Sequence, residues 1–203
     1  DELDAKFYPI GFLKGEFVFQ NIKIRDVLLN LKNDVQEGNN FDFVLDALKT
    51  DNPSKNKDIF YQIKAIRLYN CNVKYTSNKK PPLEPGNLDV NNLDIEGLNV
   101  RLSLNHFTND SLALQLFNLN FKEKSGFEVK NISAMVEANQ KDLNISDFNI
   151  QLPNTDLKTS SLYFEYGELK NLDNFMDRVL FKIEILPSKV CLGDFTVFVP
   201  SFA

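Results

Sequence analysis

The chain has 203 residues, a net charge of −5 and a hydrophobic fraction of 43%. That is enough to bury a core, in one large domain or two small ones. Its 23 basic residues are spread along the chain, which excludes the clustered basic footprint that nucleic acid requires. The densest basic spots, Lys79-Lys80 and the set Lys122, Lys124 and Lys130, read as solvated faces. No apolar run approaches the ~20 residues of a spanning helix and no signal peptide is visible. The abrupt start at Asp1-Glu2-Leu3 is the start expected after removal of a leader or anchor.

Asn is the unusual component: there are 25, more than Lys and Arg together, and there is no Trp. Asn tolerates left-handed backbone and bonds to its own turn, so it favours corners over helix interiors. The 18 Phe against 6 Tyr suit strands facing something apolar.

In chain order, the informative pattern is a short repeat with apolar residues at i, i+2, i+5 and i+7 and Asn or Asp at i+4. The first copy is Phe17, Phe19, Ile22 and Ile24 with Asn21, and the second Ile66, Leu68, Cys71 and Val73 with Asn70. Leu88, Val90, Leu93 and Ile95 follow with Asn92, then Leu114, Leu116, Leu119 and Phe121 with Asn118. The later copies are Phe127, Val129, Ile132 and Ala134 with Asn131, then Leu143, Ile145, Phe148 and Ile150 with Asp147. The last is Val190, Leu192, Phe195 and Val197 with Asp194. Each half has the period of two that marks a strand with one apolar face. The odd step between the halves would flip the second half over unless one extra residue, held as a bulge, restores it. Each copy therefore predicts a strand bent near the Asn and apolar on one side throughout. The copies are unequally spaced, so no strict solenoid period exists. Spacing alone divides evenly between a curved, wrapping sheet and an ordinary antiparallel sandwich.

Further strands are expected at Tyr61 to Ile63, Leu98 to Leu104, Leu157 to Tyr166 and Phe181 to Ile185. Val27 to Leu31 and Val44 to Leu48 fit either a short helix or a strand. Asp51-Asn52-Pro53, Pro81-Pro82 and Glu84-Pro85-Gly86 mark loops, and the polar stretch 50–57 predicts a mobile one. One amphipathic helix is expected over 171–181, from the stripe Leu172, Phe175, Met176, Val179 and Leu180 with Asn171 as its cap.

Catalytic and metal motifs are missing. His106 is the single histidine, which excludes multi-histidine metal sites. The eight Gly never form a phosphate loop, and there is no GxSxG elbow and no CxxC. A carboxylate pair such as Asp89 and Asp94 is the one remaining enzymatic candidate, of the glycosidase type. Cys71 and Cys191 occupy apolar positions and read as two buried free thiols rather than a disulfide framework. The sequons at Asn109, Asn131 and Asn144 are what an Asn-rich chain supplies by chance. The chain is thus expected not to be an enzyme, and no cofactor is implied.

From about Phe41 to Ala203, five segments in order carry a family likeness. They are Pro85-Gly86-Asn87-Leu88-Asp89-Val90-Asn91-Asn92-Leu93, then Asp110-Ser111-Leu112 leading into Phe121-Lys122-Glu123-Lys124-Ser125-Gly126-Phe127-Glu128-Val129. Next come Leu152-Pro153-Asn154-Thr155-Asp156-Leu157, Leu186-Pro187-Ser188-Lys189-Val190 with Leu192 and Asp194, and the closing Val199-Pro200-Ser201-Phe202. In this order they resemble TamB homologues (translocation and assembly module) of Bacteroidetes, within the AsmA-like superfamily. Residues 1–40 match less clearly, as a run-in to the first strand. The resemblance implies a mainly β fold: one elongated, curved antiparallel sheet forming an open apolar trough, a β-taco, with one or two short helices. The alternative is a closed β-sandwich. It further implies a single β-rich segment, 1–203, of a longer protein tethered to the inner membrane and crossing the periplasm. The implied role is a lipid conduit or lipid-binding segment whose groove holds phospholipid acyl chains. An outer-membrane barrel would be the partner, met through a part of the protein outside this chain. The other role implied is a periplasmic scaffold assisting outer-membrane protein assembly through exposed sheet edges. The groove candidates are Leu114, Leu116, Leu119, Phe121, Phe127, Val129, Ile132, Phe148 and Ile150.

Overall fold

The computed structural model describes residues 2–7, 16–34, 36, 38–42, 60–78, 87–108 and 110–198. The expected loops at 51–53, 81–82 and 84–86, the segment Val44 to Leu48 and the stretch 50–57 lie outside the described residues.

Strands β1 (Glu2–Phe7), β2 (Glu16–Arg25), β3 (Leu28–Asp34) and β4 (Gly38–Asn39) come first, followed by β5 (Phe60–Ile63), β6 (Ala65–Ser77), β7 (Asn92–Phe107) and β8 (Ser111–Glu123). β9 (Glu128–Val129), β10 (Asn131–Asn139), β11 (Asp142–Gln151), β12 (Asp156–Glu165) and β13 (Leu180–Ile185) complete one sheet. Its order is β1-β2-β6-β7-β8-β10-β11-β12-β13, with β3, β4, β5 and β9 pairing off this path. The sheet is open, with β1 at one edge and β13 at the other. No described helix reaches seven residues, and no second sheet of described residues closes it into a sandwich.

Bends are present in the copies on β2, β6, β8 and β11, and the register shows how they work. Leu68 pairs with Val100 and Cys71 with Leu98, so β6 spends one residue more than β7 across Tyr69-Asn70. Asn70 sits at φ 49° and Asp147, at the same place in its own copy, at φ 51°. In β8 the extra residue is Phe117, because Leu116 pairs with Leu102 and Asn118 with Arg101. Its neighbour strand breaks at the same level, between β9 and β10 at Lys130. On β2 the extra residue is Gln20, since Phe7 pairs with Phe19 and Lys6 with Asn21. Each extra residue turns the strand so that both halves keep their apolar side chains on one face. At β6 and β8 the displaced side chain faces the other way, under an arginine: Arg25 over Tyr69 at 5.3 Å and Arg101 over Phe117 at 4.7 Å.

On that opposite face a chain of side-chain amides follows the bend from strand to strand. Asn70 Nδ2 donates to Asp26 Oδ1 at 2.6 Å, and Asn99 Oδ1 accepts from Asn70 N–H at 3.0 Å. Asn99 Nδ2 donates to Gly97 O at 2.8 Å and to Asn120 Oδ1 at 2.9 Å. Asn120 then donates to Asn118 at 3.2 Å, and Asn118 to Asn131 at 2.6 Å. Asn70 supplies a left-handed corner, and the asparagines supply the donor–acceptor pairs that tie one strand to the next.

Four expectations need correction. First, the sheet is mixed: β2 and β3 run parallel to β6 and β5 parallel to β2. β2 and β3 form one bent line hinged at Asp26 (φ 53°), alongside the β5–β6 line. The stretch between Asp34 and Phe60 is long enough for the return that parallel pairing requires. Second, the helix expected over 171–181 is a 3₁₀ segment, Leu169–Asn174, followed by α1 (Phe175–Arg178). Leu180 belongs instead to β13, where it pairs with Glu165. Asn171 does not cap α1; its Nδ2 donates to Tyr166 O at 2.7 Å. Third, the last repeat copy is not a bent strand. Leu192–Phe195 is a 3₁₀ turn because these residues leave the ladder after Lys189, which bridges to Asp156. Fourth, in the copy beginning at Leu88 only the second half is strand, and the bulge of β7 falls at Gly97 (φ 60°) rather than at Asn92.

Candidate functional site

The register places apolar side chains in transverse rows on one face. Ile22, Ile66, Leu102, Leu116 and Ala134 form one row across β2, β6, β7, β8 and β10. Leu104, Leu114, Val136, Ile145, Leu162 and Ile183 form another, reaching β13. Ile132, Ile150 and Leu157 make a shorter one. A sheet whose strands alternate this strictly must bury one face or leave it wet. Here most of these side chains are only half-buried, because no second layer of described residues lies over them.

The structure places eight of the nine candidates in strands of this face, with Phe127 in the turn between β8 and β9. Phe121 pairs with Val129, and Ile132 with Ile150. Val129 is buried, at 2% exposure. Leu114, Leu116, Leu119, Phe121, Phe127, Ile132, Phe148 and Ile150 are half-buried.

Both ends of the face are covered. At one end, Phe175 of α1 lies 6.0 Å from Phe164, with Tyr166 and Val179 buried beside it. Here Leu169 and Phe107 line a depression of about 200 Å³. At the other end, residues 189–198 form a strap across the strand ends. Cys191 N–H donates to Thr155 Oγ1 at 2.9 Å, and the hydroxyl donates back to Cys191 O at 3.4 Å. Asp194 accepts from Asn154 N–H and from Asn154 Nδ2, both at 3.0 Å. Further along, Phe198 packs edge-on against Phe127 at 4.9 Å, and Phe127 against Phe121 at 6.2 Å. Leu88 N–H donates to Val197 O at 3.0 Å. The strap thus joins segments that are far apart in sequence. No signal in any single segment announces that junction.

Burial pushes the Asp194 carboxyl up, but hydrogen bonds from Thr155 and Asn154 outweigh it and hold the group below its ordinary value. A carboxyl whose folded value is lowered stabilises the fold above its unfolded value, and that contribution goes as pH falls through the folded value. The strap is therefore expected to loosen as pH drops from about 4, the ordinary carboxyl range, through the lowered value. The protection of the backbone amides of residues 191–198, as exchange rate relative to the intrinsic rate at each pH, should fall in this window, and Asp194→Asn should remove that fall.

The remaining candidates for chemistry are tied into turns and pairs. Asp89 accepts from Asn91 N–H at 2.9 Å and Asn92 Nδ2 at 2.8 Å, and Asp94 pairs with Lys74 at 3.6 Å. His106 Nε2 lies 2.5 Å from Ser111 Oγ. That serine and Thr108 exchange further bonds that close the β7–β8 turn. Both cysteines are free, Cys71 fully buried and Cys191 only partly so. Among the described residues no cluster of His, Cys, Asp or Glu suits a metal ion, and no helix is long and apolar enough to cross a membrane. Comparison of the chain with protein-family models, with curated proteins and with solved structures finds no match.

Proposed function

We propose that this chain is a lipid-binding segment of an AsmA-like, TamB-type protein of the bacterial cell envelope. Its apolar face is the floor of a trough that holds phospholipid acyl chains between the inner and outer membranes. The observation that carries this reading is the uncovered face, built from aligned apolar rows and bounded at both ends. Such a face in water is unfavourable, and an acyl chain laid along it gains about 0.8 kcal/mol per buried CH₂. The rows carry no charged side chain between Leu116 and Ile183, which suits sliding of a lipid tail better than fixed recognition of a headgroup. In this reading the chain works in the periplasm, tethered to the inner membrane, and a barrel in the outer membrane receives the lipid. It needs no cofactor and performs no catalysis.

The test is gentle native mass spectrometry of protein purified from bacterial cells, with organic extraction of what it releases. Phospholipid should be present on the wild-type chain. It should be lost from Leu116→Asp and Phe121→Asp, each shown to remain folded by circular dichroism. A mass corresponding to protein alone, with no uptake from added vesicles, would overturn the reading. A second reading, a scaffold for outer-membrane protein assembly that holds other polypeptides at its sheet edges, is favoured by one observation: all six residues of β13 are exposed. It would survive Leu116→Asp unchanged.

A further inference from the structure

Among the described residues β13 ends the sheet, hydrogen-bonded to β12 on one side. Its apolar residues are far from covered: Leu180 is 66% exposed, Phe181 54%, Ile183 43% and Ile185 65%. Natural edges are usually blunted by proline, a bulge or charged side chains. The charges of β13, Lys182 and Glu184, are of opposite sign and so can pair across a two-fold axis. β13 contains no proline, and the extra residue in its register with β12, Ser160, belongs to β12.

We propose that β13 pairs antiparallel with β13 of a second copy of this chain, on a two-fold axis at Ile183. The backbone phase permits it. Leu186 N–H donates inward to Lys158 O at 2.9 Å, so the alternation along a strand points the polar groups of Glu184 and Lys182 inward as well. Those of Phe181, Ile183 and Ile185 then point outward. A register centred on Ile183 sets Ile183 opposite the partner's Ile183 and Phe181 opposite the partner's Ile185. Every outward N–H thereby meets an outward carbonyl.

Charge selects this register over its neighbours. Centred on Ile183, Lys182 faces the partner's Glu184, and Glu184 faces the partner's Lys182. Sliding one step either way would centre the pair on Lys182 or on Glu184 and set like charges directly opposite, which is destabilising. A slip of half that step would face inward groups with outward ones. Within one copy Lys182 Nζ already lies 3.3 Å from Glu184 Oε1, and Ser160 Oγ donates to Glu184 Oε2 at 3.0 Å. Both side chains are thus held on the same face of the sheet. A two-fold axis perpendicular to the sheet also keeps Phe181, Ile183 and Ile185 of both copies on the apolar face, which becomes continuous across the junction. None of this depends on what the face binds.

One strand pair makes a small interface, so association is expected in the micromolar range. Sedimentation equilibrium over about 1 µM to 1 mM should show the mass rise from 23.3 kDa to twice that value. Glu184→Lys, which sets lysine against lysine on both sides of the axis, should weaken association about tenfold or more. Adding Lys182→Glu to it should restore association, since the opposite charges then face each other with their places exchanged. Thermal melting of each variant checks that these exposed substitutions leave the fold intact. A monomer throughout the range overturns the proposal, including one that instead takes up a strand of a different protein. So does a dimer that ignores Glu184→Lys.

Discussion

Asn70→Val is expected to destabilise the chain by about 2–3 kcal/mol, measured by denaturant unfolding, whereas Asn70→Gly should cost about 1 kcal/mol. Asn70 holds φ 49° in the middle of the long β6–β7 pairing. A β-branched side chain there strains the backbone by about 1–2 kcal/mol, and loss of the amide removes the 2.6 Å bond to Asp26, worth about 1 kcal/mol. Glycine removes the strain and loses only the bond. Asn70→Asp separates the two contributions differently: it keeps a residue type that tolerates the corner but sets a carboxylate against Asp26. Its cost should therefore shrink at acid pH, which that of Asn70→Val should not. If valine and glycine prove equally costly, the corner carries no strain and the amide bond alone matters. The consequence reaches beyond one turn, because Cys71, which is fully buried, follows directly. If the corner straightened, Cys71, Val73 and Tyr75 would move to the wrong face together.

That dependence explains why the bends were legible in the sequence. A period of two broken by an odd step has few physical solutions, and the residue at the break must tolerate left-handed backbone. Asn70 and Asp147 satisfy both conditions. β8 satisfies only the first: its extra residue is Phe117, and its Asn118 instead donates across to Asn131. Local pattern could not reveal the parallel pairing of β2 and β3 with β6. Strand direction depends on how the chain returns between Asp34 and Phe60, and alternation reads the same in both directions. The stripe at 171–181 misled for a related reason. Leu172, Phe175, Val179 and Leu180 have helical spacing, yet Leu180–Ile185 gains more from the edge of β12 than a short, uncapped helix gains from its own bonds. The same competition ends the last repeat copy. Val190 to Val197 has the spacing of a strand, but the strap's bonds to Thr155 and Asn154 hold it across the strand ends. Of the groove candidates, shared facing was legible from alternation. The burial of Val129, at 2% exposure, was not.

Thr155→Val should cost about 2–3 kcal/mol of stability and raise amide exchange selectively over residues 191–198. Thr155 is 2% exposed, and its hydroxyl is the group on β11–β12 that both accepts from Cys191 N–H and donates to Cys191 O. Valine fills the same space, so no cavity forms, but the part-buried Cys191 N–H is left without its acceptor, at about 1–3 kcal/mol. Thr155→Ser, which keeps the hydroxyl, should cost less than half as much. The pattern of exchange matters more than the size of the loss. If the strap is a separate closure over one end of the face, faster exchange should stop at the strap and leave β11 and β12 protected. Loosening that spread into the strands would instead make the strap part of the sheet's own core. The first outcome would also make this end a gate. Phe198 would then be free to leave Phe127 and Phe121, and the apolar rows would open at the end where the distant segments of the chain meet.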